Sequence, residues 1–422
     1  MTNPYNFVQF PSVGPDRQEP ESHNAVTAGL HSGVFTCRVI ALSPIFIPSY
    51  ESPGYQEVRY RDGNDRQRSH KIFRKFFSDA AGKPVIPGSE LKGCFRAAAE
   101  AAGNGCVSVF NGVYAGKMRD DRPVAIHLPA GHEPCTDRSH LCPTCRLFGM
   151  SSQSNSDEDA LFFKGKVSFG DARLVGEARY LGAAAGRPAP LQLLTTLSSP
   201  KPYHKDWYAP TGLAAGRKFY LHRDNLDLVL DNTQDARYRD ELLAGRNGPP
   251  RNSYLHLKVS VSPLDQGSTF EFQVRYTNLT DQELALLVFA IELMPDRPAE
   301  PKNLRWTDIK NGHYHKIGYG KPAGLGTCAV YIVEQQVMDP ARRYGAAEDT
   351  AGNVTGAALE DWLLTQKKGM IFSIHLPGEE KARMPAHVLQ LLILTKWKNG
   401  KAIAYPQQNS NEFTNPLLAP RL

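Results

Sequence analysis

The sequence predicts an α+β fold whose core runs strand, helix, strand, strand, helix, strand. Three observations predict it. Val34 to Ile47 is β-branched and apolar on both alternations, as a strand buried on both faces would be. Two apolar segments carry helix-start signals, Ser89 after the Pro87-Gly88 turn and the capping box Thr280-Asp-Gln-Glu283. Around them Lys164–Val175, Thr269–Tyr276 and Gly326–Glu334 read as strands.

Taken in order, the first 30 residues are rich in Pro, Asn and Ser and predict an irregular arm, and Val34–Ile47 follows as the first strand. Pro48–Arg68 reads as a long polar loop. Ser89–Ala102 is an alanine-rich helix ended by Gly103-Asn104-Gly105. Residues 106–160 hold no long periodic segment, and Lys164–Val175 is the second strand. From Gly176 to Pro250 the composition shifts to Ala, Gly, Pro and scattered charge, the mark of an insertion. Tyr254–Val261 and Thr269–Tyr276 alternate and are joined by Ser-Pro-Leu-Asp-Gln-Gly-Ser, a hairpin signal. The second helix covers 281–293, and Gly326–Glu334 follows a glycine-rich loop. This βαββαβ order is that of a ferredoxin-like, RRM-type domain, which alone licenses no function. The expected organisation is an arm (1–30), a domain (31–334) with insertions at 48–75, 106–160 and 176–250, and a C-terminal extension (335–422) with helical patterns near Ala358–Lys368 and His387–Trp397.

Hydrophobic residues at 41% and charged residues at 22% describe an ordinary globular chain. No apolar run is long enough to cross a bilayer and residues 1–11 lack a signal-peptide core, so a cytoplasmic protein without membrane contact is expected. A net charge of +6 favours a polyanionic partner without demanding one. Clustering says more: Arg59, Arg61, Arg66, Arg68, His70, Lys71, Arg74 and Lys75 interleave with Tyr55, Tyr60, Phe73, Phe76 and Phe77. That composition suits a solvated charged loop and an RNA-contacting one equally.

Seven cysteines without a secretion signal argue for thiols or metal rather than disulfides. The run His132-x2-Cys135-x4-His140-x-Cys142-x2-Cys145 suits a tetrahedral structural zinc, with His132 or His140 as the fourth ligand. Four protein ligands leave no open position for catalysis. Cys37, Cys94, Cys106 and Cys328 read as small core residues.

Ile86-Pro-Gly-Ser-Glu-Leu-Lys-Gly-Cys-Phe-Arg96 places Ser89 at a helix start, with Lys92 and Arg96 four residues apart on one face. Free N–H groups and two cations there suit a phosphate, although a plain helix start carries the same residues. The loop 315–326 sets Lys316, Tyr319 and Lys321 among Gly318, Gly320, Gly324 and Gly326, which permit close backbone approach. No Gly-Lys-Ser/Thr closes it, so it is not an ATP loop.

These motifs, with Cys142-Pro-Thr-Cys-Arg-Leu-Phe-Gly149 and Gly165-Lys-Val-Ser-Phe-Gly-Asp-Ala172, resemble in residue and order the RAMP superfamily of CRISPR proteins. The likeness is to backbone subunits of class 1 effectors, the Cas seven group. A type III-like subfamily is nearer still, with Pro4-Tyr-Asn-Phe-Val8, Gly-Arg-Lys-Phe-Tyr at 216–220 and a late Tyr405-Pro406. The resemblance implies a subunit repeated along a CRISPR guide RNA (crRNA), beside other effector subunits. It would hold the RNA backbone while the guide bases pair with a target RNA. Arg59, Arg61, Arg66, Arg68, Lys71, Ser89, Lys92, Arg96, Lys316, Tyr319, Gly320 and Lys321 are the RNA-binding candidates. Related domains carry a zinc site just before the Arg-Leu-Phe-Gly run. They also use a protruding thumb, supplied here by 176–250, with its Pro-Lys-Pro-Tyr-His-Lys-Asp-Trp stretch (200–207), or by 48–68.

Type III backbone subunits that cleave target RNA use an aspartate in the loop after the first strand. Here that loop begins Pro48-Ser-Tyr-Glu-Ser, leaving Glu51, Asp62 and Asp65 as stand-ins. The sequence therefore favours a subunit without its own nuclease, in a type III or type VII-like system whose cleavage comes from elsewhere. One alternative is a target-cleaving subunit using a loop acid. The other is a stand-alone guide-processing ribonuclease, for which His313 and His315 would be the best of the available histidines.

Overall fold

The computed structural model describes residues 4–110, 113–114, 124–151, 161–183, 190–195, 197, 208–223, 226, 234–245, 255–294, 312–338, 352–373 and 384–397. The strands used below are β1 (Tyr5–Val8), β2 (His31–Ala41), β3 (Tyr55–Arg61), β4 (Gln67–Phe73), β5 (Val85–Ile86), β6 (Val167–Phe169) and β7 (Ala172–Val175). Then come β8 (Gln192–Leu193), β9 (Arg217–Tyr220), β10 (Val259–Val261), β11 (Thr269–Leu279), β12 (His315–Lys316) and β13 (Thr327–Val337). The helices are α1 (Gly88–Ala102), α2 (Pro143–Phe148), α3 (Gln234–Leu243), α4 (Asp281–Glu292), α5 (Gly356–Ser373) and α6 (Ala386–Thr395).

The main sheet runs β12-β13-β2-β11-β7-β5, with β6 also on β11. Its four core strands lie in the order last, first, third, second, all neighbours antiparallel, which is the ferredoxin-like arrangement the sequence predicted. Cys37 of β2 pairs with Phe272 on one side and Ile332 on the other. One face of this sheet, carrying Phe35, Val39, Phe270, Val274 and Val330, packs under α1 and α4 as the main core. Thr280 caps α4 with the reciprocal bonds of a capping box, as its sequence signalled. The extension packs back onto this layer: α5 lies along α4, and α6 against α1.

The second strand is interrupted where Gly170-Asp171 separates β6 from β7. Asp171 Oδ1 accepts from Gly88 N at 2.8 Å, so a side chain from the sheet ties down the first turn of α1. The helix thus begins on Pro87 rather than on Ser89, whose side chain makes no cap bond and is exposed.

Two expectations about strands differ. Residues 55–73 are not a loop but the hairpin β3–β4, with Arg59 opposite Ser69 and Glu57 opposite Lys71. Nor is Tyr254–Val261 the partner of β11. Residues 255–257 form a 3-10 turn, and β10 joins a second sheet of order β8-β10-β4-β3, parallel to β4. Alternation identified β10 and β11 as strands, but it carries no information on which edge they join. The second sheet buries Val58 and Tyr60 with Leu193, Leu242 and Leu255, so the hairpin has one apolar and one polar face.

The motifs at 4–8 and 216–220 meet as a separate two-stranded ribbon, β1–β9, with Phe7 opposite Lys218. No helix among the described residues is long and apolar enough to cross a membrane.

Candidate metal centre and nucleic-acid interface

Cys106, Cys135, Cys142 and Cys145 are all buried, and their sulfurs lie within 4.8 Å of one another. Tetrahedral Zn–S bonds of about 2.3 Å would need sulfur separations of roughly 3.8 Å, so the quartet fits a metal ion with little movement. Amides point at the sulfurs: Cys142 N donates to Cys135 Sγ and Cys145 N to Cys142 Sγ, each at 3.4 Å, and Cys106 N also donates to Cys142 Sγ. Arg96 Nη2 donates to Cys145 Sγ at 3.5 Å, and the Arg17 guanidinium of the N-terminal arm adds positive charge toward Cys135. Donors and cations of this kind stabilise thiolate charge. Hydrogen bonding to Cys106 draws Cys135 well down and Cys142 to about 6. The thiols of Cys106, pushed up first by its bond to Cys135, and of Cys145, pushed up first by Cys106, shift the other way.

The fourth sulfur corrects the expected ligand set. Cys106, read as a core residue, completes the quartet, whereas His132 and His140 stand outside it. His132 is buried with its ring nitrogen on Asn104 Oδ1 at 3.1 Å, and His140 is exposed and paired with Asp137 at 3.1 Å. The signal available in the sequence was position. Cys106 immediately follows the Gly103-Asn-Gly turn that ends α1, where the chain reverses toward the segment holding the other three.

The Cys142–Gly149 motif forms α2, with the Cys142 side chain capping its first turn. Arg146 is turned inward: its Nε and the Lys166 Nζ hold the two oxygens of buried Glu283 at 3.2 and 2.8 Å. Three sequence motifs are thus joined by one buried ion triad.

A cleft of about 250 Å³ opens between α1, β9 and the loop leading to β13. Ser89 and Gly93 line it from the helix, Lys218 from the ribbon, and Lys316 and Lys321 from the glycine loop. A Cβ at Gly93 would meet nothing within 4 Å. No packing constraint demands glycine there, although it costs about 1 kcal/mol against alanine within a helix. The side chain it lacks would stand in the cleft. Lys92 beside it is half-buried, and burial, with Arg96 next, lowers its pKa. Burial also takes Lys218 to about 8, its ammonium standing 3.7 Å over the Tyr5 ring. Lys321 reaches Glu90 at 3.7 Å and remains partly exposed.

Other candidates take different places. Lys316 is buried, donating to the carbonyls of Gly324 and Leu325 at 2.9 and 3.0 Å, so it pins the glycine loop from inside. Arg96 bonds Glu100, Gly149 O and Cys145, bridging α1 to the cysteine quartet. Gly318 and Gly326 adopt positive φ, and a Cβ at either would also strike a carbonyl, that of Phe46 or Ile317, so both positions need glycine. Those glycines serve the crossing of two backbones. Gly320 is buried at φ 73°, and Tyr319 is half-buried beside Phe73, with burial and then Tyr50 raising its phenol.

On the hairpin, Arg59, Arg61 and Lys71 are exposed on the polar face, and Arg66 is exposed at the tip. Arg68 lies on the other face and pairs with Asp62 at 3.1 Å. Asp62 also accepts from the amides of Asn64 and Arg66; burial pushes it up, but these bonds win and hold it below its usual value. Asp65 pairs with Arg61 at 3.0 Å. Both acids are therefore turn residues at the tip. Glu51 is exposed at the hairpin base, a strand of seven residues away, or about 20 Å. The three acids do not form one site. His313 and His315 bond the carbonyls of Leu392 and Ile291 at 2.7 and 3.0 Å, as structural rings do. The 200–207 stretch, with His204, and Tyr405-Pro406 lie outside the described residues.

The crystal structure of Thermofilum pendens Csc2 is similar at 13% identity, covering 81% of this chain and 77% of that one, with a TM-score of 0.30. A chain of the Csm3–Csm4 subcomplex of the type III-A CRISPR-Cas interference complex is similar at 12% identity, over 80% of this chain and 97% of its own, with a TM-score of 0.29. A chain of a type IV-B CRISPR complex shows 14% identity over 75% and 96%, with a TM-score of 0.29. No curated protein matches the sequence. The RAMP superfamily profile matches residues 38–329, from the first core strand to the start of the last. The chain belongs to the RAMP superfamily.

Proposed function

We propose that this chain is a guide-RNA-binding backbone subunit of a class 1 CRISPR effector. It would repeat along the guide beside other effector subunits and leave the guide bases free to pair with target RNA. The observation that carries the reading is convergence: motifs at 86–93, 216–220 and 315–321 meet around one cleft. Lysines, a helix first turn and a side-chain-free floor at Gly93 suit a phosphodiester backbone and offer no base-reading geometry. The polar hairpin face offers Arg59, Arg61 and Lys71 as a second group of cations, interrupted by Glu57.

The quartet of Cys106, Cys135, Cys142 and Cys145 would hold a structural zinc ion. With four sulfur ligands it has no open position, so its contribution is to fold a segment with little core of its own. Cleavage is assigned to another subunit, because Asp62 and Asp65 are spent on the hairpin turn and Glu51 stands apart from both.

The test is guide-length RNA binding across a salt series, comparing wild type with Lys92→Ala and Lys321→Ala. Each substitution is expected to weaken binding and reduce the log–log salt slope by about 0.7. Unchanged slopes in both variants would remove the cleft from the RNA path. Metal-dependent cleavage of complementary RNA, lost in Glu51→Ala, Asp62→Ala or Asp65→Ala, would overturn the non-nuclease reading.

A further inference from the structure

We propose that Tyr50 is a stacking site for an unpaired RNA base, an inference that rests on the RNA-binding reading above. The Tyr50 ring stands edge-on to Phe73 at 5.2 Å and tilted against Tyr55 at the same distance. Tyr55 packs on Phe73 at 5.0 Å, and Tyr319 reaches Phe73 from the glycine loop at 6.5 Å. Phe73 is fully buried, so these rings form steps from the core to the surface, and the last step is 63% exposed. The loop that carries it is fastened on both sides. Tyr319 N donates to Phe46 O at 2.8 Å before Tyr50, and Arg74 N to Gly54 O at 2.8 Å after it. A supported ring held in water on a braced loop is preorganised to receive a flat partner.

Charge names the partner. Tyr55 and Phe73 are opposite one another in the hairpin register, on the same face as Lys71 opposite Glu57 and Arg59 opposite Ser69. Tyr50 therefore caps the base of this face, with Arg74 and Lys75 exposed directly after Phe73 and Lys321 two residues beyond Tyr319. A strand whose phosphates engage both cation groups passes over Tyr50. The exposed Glu51 carboxylate beside it repels phosphate, so the surface turned to this ring is a base. Base-on-aromatic contact of this kind tolerates any sequence, as a guide with variable bases requires.

The experiment compares full-length wild type, Tyr50→Ala, Tyr50→Phe and Lys71→Ala for binding to a single-copy-length RNA. The RNA carries 2-aminopurine at successive positions, and a salt titration accompanies each variant. Tyr50→Ala should lower affinity roughly 5- to 150-fold with an unchanged salt slope. It should also restore 2-aminopurine fluorescence at the position quenched in the wild type. Tyr50→Phe should behave as wild type, and Lys71→Ala should lower the slope. Equal binding by wild type and Tyr50→Ala overturns the stacking site while leaving the RNA-binding reading intact. Equal loss in Tyr50→Ala and Tyr50→Phe overturns it in favour of a hydroxyl contact. No RNA binding by the wild type overturns both.

Discussion

Single residues divide the cations and sulfurs into those that serve the fold and those that face outward. Lys316 and Lys321 are five positions apart in one motif, yet one ammonium is spent on the carbonyls of Gly324 and Leu325 and the other meets solvent. Lys316→Ala should therefore lower the melting temperature and leave the RNA salt slope of the folded fraction unchanged. Lys321→Ala should do the reverse. Thermal melts beside salt titrations check the pair. Sequence could not separate them, since both are lysines of one glycine-rich loop, and only the path of the loop decides which is enclosed. The same holds for Cys106, whose separation from Cys135 hides it from any local spacing rule. Cys106→Ser should abolish stoichiometric zinc in protein analysed by elemental mass spectrometry, while His140→Ala should retain it. Zinc retained by Cys106→Ser and lost from His140→Ala would restore the histidine ligand.

Between elements, the strongest link is the buried triad joining α2, the loop before β6 and α4. Glu283 completes the α4 capping box through Thr280 N and pairs with both Arg146 and Lys166. Its removal strands two buried cations, so Glu283→Ala is expected to cost about 3–5 kcal/mol in urea denaturation. A loss below 1 kcal/mol would mean that water reaches the triad. The helices and long strands here were legible because their signals are local: caps, turns and apolar runs. Strand β3 was not read because its alternation, Val58 and Tyr60 against Glu57, Arg59 and Arg61, is masked by charge on the side that faces water. β10 was read as a strand, but its parallel pairing with β4, nearly two hundred residues earlier, leaves no mark in the local pattern.

Across the whole molecule, the sheets, ribbon and extension enclose histidines that must stay neutral. Burial, partly offset by backbone hydrogen bonds, takes His70, His315 and His387 to about 4. The unfolded chain binds protons at these groups from pH 6.5 downward and the folded chain does not. Stability is accordingly full above pH 6.5 and falls as the pH drops toward 4, by up to about 3 kcal/mol for each group. Urea midpoints measured from pH 7 to 4.5 should decline throughout; a flat profile would place these rings in contact with water. At the same scale lies the proposal that this RAMP chain is repeated along a guide RNA. The most direct measurement is to co-express the chain with a CRISPR array and its neighbouring genes, then determine bound RNA and native mass together. Several copies of this chain are expected on one guide-length RNA. Recovery of the chain free of RNA, or as a single copy per complex, would contradict the proposal.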